Sequence, residues 1–302
     1  MSDNTTEIPR VTGLLIIEVR NSNPNGDPDR ESDPRTRAHD GKGVISDVSF
    51  KRKLRELVLL KNGPVWQHLK ALLRLDDEKF GIHVDQAARA TDATSRQGGG
   101  KKSLSDRFWD VRLFGSTSLE EGDNFIRSGV AQFAIAVSSA KVRIQRDTNT
   151  VKAGVQEGKD RGMAPLGFRV IEHGVYAMPF LINPSAAEKS GCTREDIELL
   201  CRLIPHAYSH NASRIRPFVE VRHAWYFEHK GPLGSCSDFA IIDALTPIKP
   251  QATEPSSSWA DYDYDGAKKL AEAKMKFAGK FEHFGDLCEP SFVDEIFPRV
   301  NG

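Results

Sequence analysis

The chain has 302 residues, with 42 lysines and arginines set against 42 aspartates and glutamates for a formal net charge of zero. Such a balance excludes a nucleic-acid binder that works through uniform positive charge, and no apolar run approaches the ~20 residues a membrane-spanning helix needs. Four cysteines, Cys192, Cys201, Cys236 and Cys288, lack C-x-x-C spacing and so indicate neither a disulfide framework nor a zinc site; with no signal peptide or lipidation motif visible, the expected location is the cytoplasm.

GLLIIEVR (Gly13 to Arg20) is apolar, β-branched and short, and reads as a central strand. A loop rich in Asn, Gly, Asp and Pro follows from Asn21. It leads to a helix expected to start near Ser46, whose hydroxyl can cap the free amides, with Asp47 favourably placed in the first turn. Phe50, Leu54, Leu57 and Val58 fall on one face of that helix, and Lys51, Arg52 and Arg55 form a basic stripe beside it, with Lys53 on the other flank. A strand, a loop of exposed amides and a helix with a basic flank is chemistry suited to a phosphodiester backbone. From the residues alone a turn-forming loop and a solvated helix flank is the simpler reading, because these are the default turn residues.

Residues 61 to 127 read as an insertion, with a short helix over Val65 to Leu75, a glycine-rich RQGGGKKS segment (Arg96 to Ser103) and the element DVRLFGS. VAQFAIAVSS then alternates with period two and puts Phe133, Ile135 and Val137 on one side of a strand. Between Lys141 and Arg161 six basic residues face three acidic ones, so the neutral average conceals local basicity. Further strands are expected over Gly174 to Asn183, Val219 to Glu228 and Phe239 to Ile248. A helix capped by Thr193 lies between the first two and turns Ile197, Leu200, Leu203 and Ile204 inward. The order β-α-β-β-α-β, with a further strand and large insertions, predicts an α+β chain with a ferredoxin-like, RRM-like core over residues 1 to 250. After Pro250, QATEPSSS reads as a linker and DGAKKLAEAKMKFAGKFEHF as a helix, making 251 to 302 an extension.

NPNGDPD (Asn23 to Asp29) followed by ISDVSFKRKLR (Ile45 to Arg55) resembles the signature of the backbone subunits of type I CRISPR Cascade complexes, in the type I-C and I-B branch. The resemblance continues in order and spacing through FWDVRLFGS (Phe108 to Ser116), SGVAQFAIAVSS (Ser128 to Ser139), EHGVYAMPFLIN (Glu172 to Asn183) and YFEHKGPLGS (Tyr226 to Ser235), and covers roughly residues 12 to 250. It implies a non-catalytic protein, without metal or cofactor, that polymerises head to tail along CRISPR guide RNA and presents guide bases for pairing with target DNA. Sequence is then read by the guide rather than by the protein. Implied partners are crRNA, target DNA through that pairing, further copies of the chain, the handle-binding and large subunits, and indirectly a recruited helicase-nuclease; no membrane is involved.

Carried onto this sequence, the resemblance reverses the simpler reading of the loop. It places RNA contacts on Asn21, Asn23, Asn25, Ser46, Lys51, Arg52, Arg55 and Ser128, and on Arg143, Arg146, Lys152, Lys159 and Arg161 of a thumb-like hairpin at about 140 to 165. Such a thumb reaches the neighbouring subunit and wedges one nucleotide out of the guide's stack. Wedging needs an apolar tip flanked by cations, and Ile144, Val151 and Met163 are the candidates; a disordered surface loop with Gly154, Gly158 and Gly162 is the plainer alternative.

Other chemistries fit less well. Asn23, Asn25 and Asp27 mimic the start of a calcium loop, yet Gly26 stands fourth instead of sixth and Pro34 occupies the place of the bidentate glutamate. His206 and His210 have zinc-ligand spacing, but Ala207 follows the first and no third ligand is near in sequence. The competing function is a metal-independent ribonuclease that processes repeat RNA with His206 or His223 as acid or base.

Overall fold

The first nine residues of strand β1 (Val11–Ser22) are all buried, Thr12 and Glu18 among apolar neighbours, and a strand buried on both faces belongs inside a covered sheet. In the computed structural model, which describes residues 8–83, 104–118, 125–152, 163–277 and 279–285, β1 runs antiparallel to β6 (Met163–Ile182) on one side and to β7 (Val219–His229) on the other. The sheet continues outward from β6 through β4 (Ala136–Lys141) to β2 (Lys42–Ile45), and from β7 to β8 (Gly279–Gly285). Two more strands, β3 (Ala131–Phe133) and β5 (Ile144–Lys152), also pair with the unusually long β6. The expected α+β class with an antiparallel sheet is what the chain forms.

Helices α1 (Asp47–Leu59) and α4 (Arg194–Leu203) cover one face. The hydroxyl of Ser46 accepts the Ser49 amide, and Phe50, Leu54, Leu57 and Val58 are buried, so the capping and periodicity arguments both apply. Phe50 meets Phe133 and Tyr208 at ring-centroid distances of 5.3 and 5.9 Å. α4 opens with a reciprocal capping box between Thr193 and Asp196. Gly13 of β1 lies so close beneath Phe180 that a Cβ there would stand 2.0 Å from the ring. The stretch after α1 contributes α2 (Pro64–Leu73) and the short α3 (Trp109–Phe114), which runs into a small antiparallel pair of Gly115–Ser118 with Phe125–Ser128. The RQGGGKKS segment lies outside the described residues.

Three expectations are corrected. Strand VAQFAIAVSS is interrupted at Ala134 and Ile135: Phe133 pairs with Phe180 but Val137 pairs with Ala177, one residue out of step. That extra residue flips the phase, so Ile135 is 55 % exposed and Ala136, Ser138 and Ala140 turn inward. Phe239 to Ile248 is not a strand; it contains helix α5 (Asp238–Leu245), capped by Ser237, with Ile241 and Leu245 buried one turn apart. The alanine- and lysine-rich tail forms helix α6 (Gly266–Lys276), and the remainder of the stretch becomes the edge strand β8.

α5, α6, Tyr262 and Phe277 cover the second sheet face, packing on Leu14, Ile16, Val175, Trp225 and Phe227. The stretch read as a linker lies against the sheet: Lys141 donates its amide to the Ala252 carbonyl at 2.9 Å, and Ser256 bonds His173 Nδ1 at 2.8 Å. Among the described residues no helix is long and apolar enough to cross a membrane.

Candidate nucleic-acid interface

The loop after β1 is built by the side chains that were candidates for contact. Asn23 is buried and donates to the Ser32 carbonyl at 2.8 Å, and the Asn25 carbonyl oxygen accepts the Ser46 amide at 2.8 Å. Asn21 is exposed, with a left-handed φ of 41°. Two-residue strands Gly26–Asp27 and Asp33–Pro34 pair beside it, and the turn between them carries Glu31 and Ser32, also left-handed at φ 49° and 66°. The turn-forming role of the asparagines is therefore real, and Asn23 and Asn25 hold the loop rather than project from it.

Along α1 the basic stripe divides. Arg52 is 76 % exposed and pairs with Glu56 on its own helix. Lys51 pairs with Asp47 at 3.0 Å and lies 5.7 Å from the centre of the Phe114 ring. Arg55 sits over the same ring at 5.0 Å and bonds Asp110 at 3.0 Å. Asp110 is itself buried, so Arg55 neutralises a carboxylate that would otherwise be stranded, and the structure removes it from the free cations. Lys53 is buried against Glu56. Ser128 ends the small antiparallel pair, opposite Gly115.

The basic segment expected as a thumb forms a two-stranded arm. β5 pairs with the first half of β6 from Ile144 opposite Ile171 to Lys152 opposite Met163. At ~3.3 Å per residue the arm is roughly 26 Å long. Ile144, a wedge candidate, sits at its base and is partly buried against the main core. Val151, Lys152 and Met163 lie at the far end of the described arm; Lys159 and Arg161 lie outside the described residues. Arg143 is 63 % exposed beside Glu172.

Arg146 faces Arg169 directly across the arm, and like charges in that position repel unless an anion lies over them. Asp33 supplies it. Arg146 donates to both of its carboxylate oxygens, through Nε at 3.3 Å and Nη2 at 2.5 Å, and Arg169 Nε lies 3.5 Å away. Arg169 also donates to the Glu31 carbonyl at 2.6 Å and pairs with the Glu31 carboxylate. Sequence reasoning missed Arg169, and Arg35, which lies 3.5 Å from Asp27. Hairpin register was the signal that could have found Arg169, since pairing the two halves of the arm sets it against Arg146.

With this arrangement in view, the comparison that decides kinship is the family described as CRISPR-associated protein Cas7, which matches residues 9–266. The chain belongs to the Cas7 family. A CRISPR-associated protein Cas7 of Haloferax volcanii is 26 % identical over 220 residues, covering 65 % of this chain and 63 % of that protein. A chain of a solved CRISPR RNA-guided surveillance complex superposes with a TM-score of 0.52 at 15 % identity, covering 95 % of this chain and 98 % of the other. That likeness shows a shared fold.

Histidines in this Cas7 chain occupy separate settings. His206 and His210 lie in single-turn helices after α4 with rings 5.5 Å apart, and burial lowers the pKa of His206 below its ordinary value. His223 lies 5.6 and 5.1 Å from the rings of Trp259 and Tyr264. His173 bonds Glu18 at 3.1 Å on the strand that leads to the loop. Although burial opposes ionisation of Glu18, hydrogen bonds from His173 and Arg20 and the charges of Arg20 and Arg222 hold its pKa at about 2. Arg222 reaches Glu18 at 3.1 Å from the point where β7 slips one residue against β1. No cluster of three or more His, Cys, Asp or Glu side chains able to hold a metal occurs among the described residues.

Proposed function

We propose that this chain is a guide-RNA-binding backbone subunit of a CRISPR surveillance complex, of the type I-C or I-B branch, that oligomerises head to tail along crRNA and takes no chemical step. The observation that carries the reading is the two-stranded arm, which rises out of a core strand and carries arginines at its base, in a chain of the Cas7 family. A long strand leaving its own sheet has no structural need to be cationic. It suits a part that reaches a second molecule while its base lies against a polyanion.

The core is ferredoxin-like on this reading. The order β7-β1-β6-β4, antiparallel throughout, with α1 following β1 and α4 following β6, is the order of a split βαβ sheet. Arg52, Arg143 and Arg146 supply phosphate contacts, Asn21 and Lys51 add further ones, and Val151 or Met163 with Lys152 serve the far end of the arm. Target DNA joins by pairing with the guide, and the handle-binding and large subunits close the ends of an assembly that heterologous contacts alone leave open.

Mixing the purified chain with a radiolabelled single-stranded guide, then measuring particle size and RNA integrity, tests the reading. Particles whose size grows with RNA length around intact RNA are expected. One small complex holding RNA cut at a fixed position would refute it in favour of the ribonuclease.

A further inference from the structure

Asp33 is only 15 % exposed and is gripped by two arginines, a setting that resembles a bound phosphate more than a surface carboxylate. Cross-strand repulsion between Arg146 and Arg169 is relieved by an anion over that face of the arm, and nothing requires the anion to come from the same chain. The segment that supplies it is poorly satisfied. Glu31 and Ser32 are non-glycine residues in the left-handed region, and the buried Asn23 Oδ1 and Arg35 Nε have no hydrogen-bond partner among the described residues. A loop built only for stability would not leave two buried polar atoms unpaired while offering acidic side chains to three arginines, with Asp27 on Arg35, Glu31 on Arg169 and Asp33 on both arm residues.

We propose that residues 27–33 are an internal phosphate mimic: in the RNA-free chain Asp33 and Glu31 occupy a phosphodiester site formed by Arg146 and Arg169, and single-stranded RNA must displace them to bind there. The inference rests on the RNA-binding reading above and adds a regulation to it. Stray RNA pays the cost of expelling the loop, whereas an assembling filament offsets it through contacts to neighbouring copies. The closed loop also pins the base of the arm to the rest of the chain before assembly.

Fluorescence anisotropy with a fluorescein-labelled, non-guide single-stranded RNA at fixed salt tests this. Asp33→Asn should bind about tenfold more tightly than the wild type, the size expected for removing one bidentate competitor. Asp29→Asn removes the same charge from an exposed residue whose side chain pairs with no arginine among the described residues, and should stay within about twofold. Asp33→Asn added to Arg146→Ala with Arg169→Ala should bind no more tightly than that arginine double variant alone. Glu31→Gln, at a side chain 82 % exposed and so harmless to folding, should move affinity in the same direction as Asp33→Asn. Hydrogen exchange of amides 144–152 without RNA should accelerate in Asp33→Asn. Equal affinity of Asp33→Asn and wild type, an equal gain from Asp29→Asn, or unchanged exchange overturns the mimic. Failure of every variant and the wild type to bind RNA overturns instead the RNA-binding reading beneath it.

Discussion

Replacing Asp196 by asparagine should destabilise the chain by about 3–5 kcal/mol, the range for removing one partner of a buried ion pair. Asp196 is fully buried and its carboxylate accepts four hydrogen bonds: from Arg112 Nη2 at 2.7 Å and Nε at 2.9 Å, and from the Thr193 amide and hydroxyl at 2.8 and 3.1 Å. Arg112 donates its remaining nitrogen to the carbonyls of Lys79 and Ser105 and its side chain is only 8 % exposed, so its charge stays largely buried once the carboxylate is gone. An amide in that place turns a donor toward a guanidinium and leaves a buried charge uncompensated. Arg112→Met with Asp196→Leu removes both charges and should cost less than Asp196→Asn alone, about 1–2 kcal/mol, chiefly for the lost cap of α4. Urea denaturation with an unchanged m-value reads both numbers. A loss below about 1 kcal/mol for Asp196→Asn, or a double variant worse than the single, would refute the reasoning. The consequence reaches the interface, because α3, anchored through Arg112, also carries the Asp110 and Phe114 that position Arg55 and Lys51.

Arg52→Ala with Arg143→Ala should weaken RNA binding equally for unrelated sequences and lower the salt slope by about 0.7 per contact, with stability changed by no more than ~0.5 kcal/mol; sequence-selective loss would contradict phosphate contact. Arg55→Ala should instead lower the urea midpoint, because it strands the buried Asp110. Glu18 has a folded pKa of about 2 against an ordinary 4.5, so its contribution is fully present above pH 4.5 and disappears as pH falls toward 2. Stability should drop by about 1–2 kcal/mol over that interval after solvent screening, and Glu18→Gln should flatten the fall in a urea titration at successive pH values. Gly13→Ala should cost about 1–3 kcal/mol in thermal or urea unfolding, because its Cβ would overlap the buried Phe180 ring.

Legibility in the sequence followed the range of the interactions. α1 and α4 were readable because cap, first-turn acid and apolar spacing all lie within one short window, as in Ser46 with Phe50 and Leu54, or Thr193 with Asp196 and Ile197. Phe239 to Ile248 was misread because an apolar run bounded by polar residues suits a buried strand as well as a buried helix, and only the cap at Ser237 separates them. The phase slip at Ile135 arises from pairing with β6, which alternation inside one strand cannot register. Candidate cations were visible as residue types, but their partners were not: Arg55 reaches Asp110 across 55 positions, and Arg146 reaches Asp33 across 113.

On the proposed RNA-binding reading, those distant partners shift the weight of the interface from the helix to the arm. A cation that neutralises a buried carboxylate is committed, since withdrawing it to bind RNA would expose the chain to the full cost of a stranded charge; Arg55 on Asp110 is in that position. A cation that is itself exposed and paired with a carboxylate on a strained loop is exchangeable, because the loop can carry that carboxylate out to water when phosphate takes its place. Arg146, 59 % exposed on its side chain, meets that condition, and so does Arg169 through the still more exposed Glu31. The basic flank of α1 drew attention in the sequence because its charges are adjacent in the chain. Charge that is adjacent in space and free to exchange lies instead where β5 and β6 set two arginines face to face, and electrostatic recognition of a backbone depends on that second kind of adjacency.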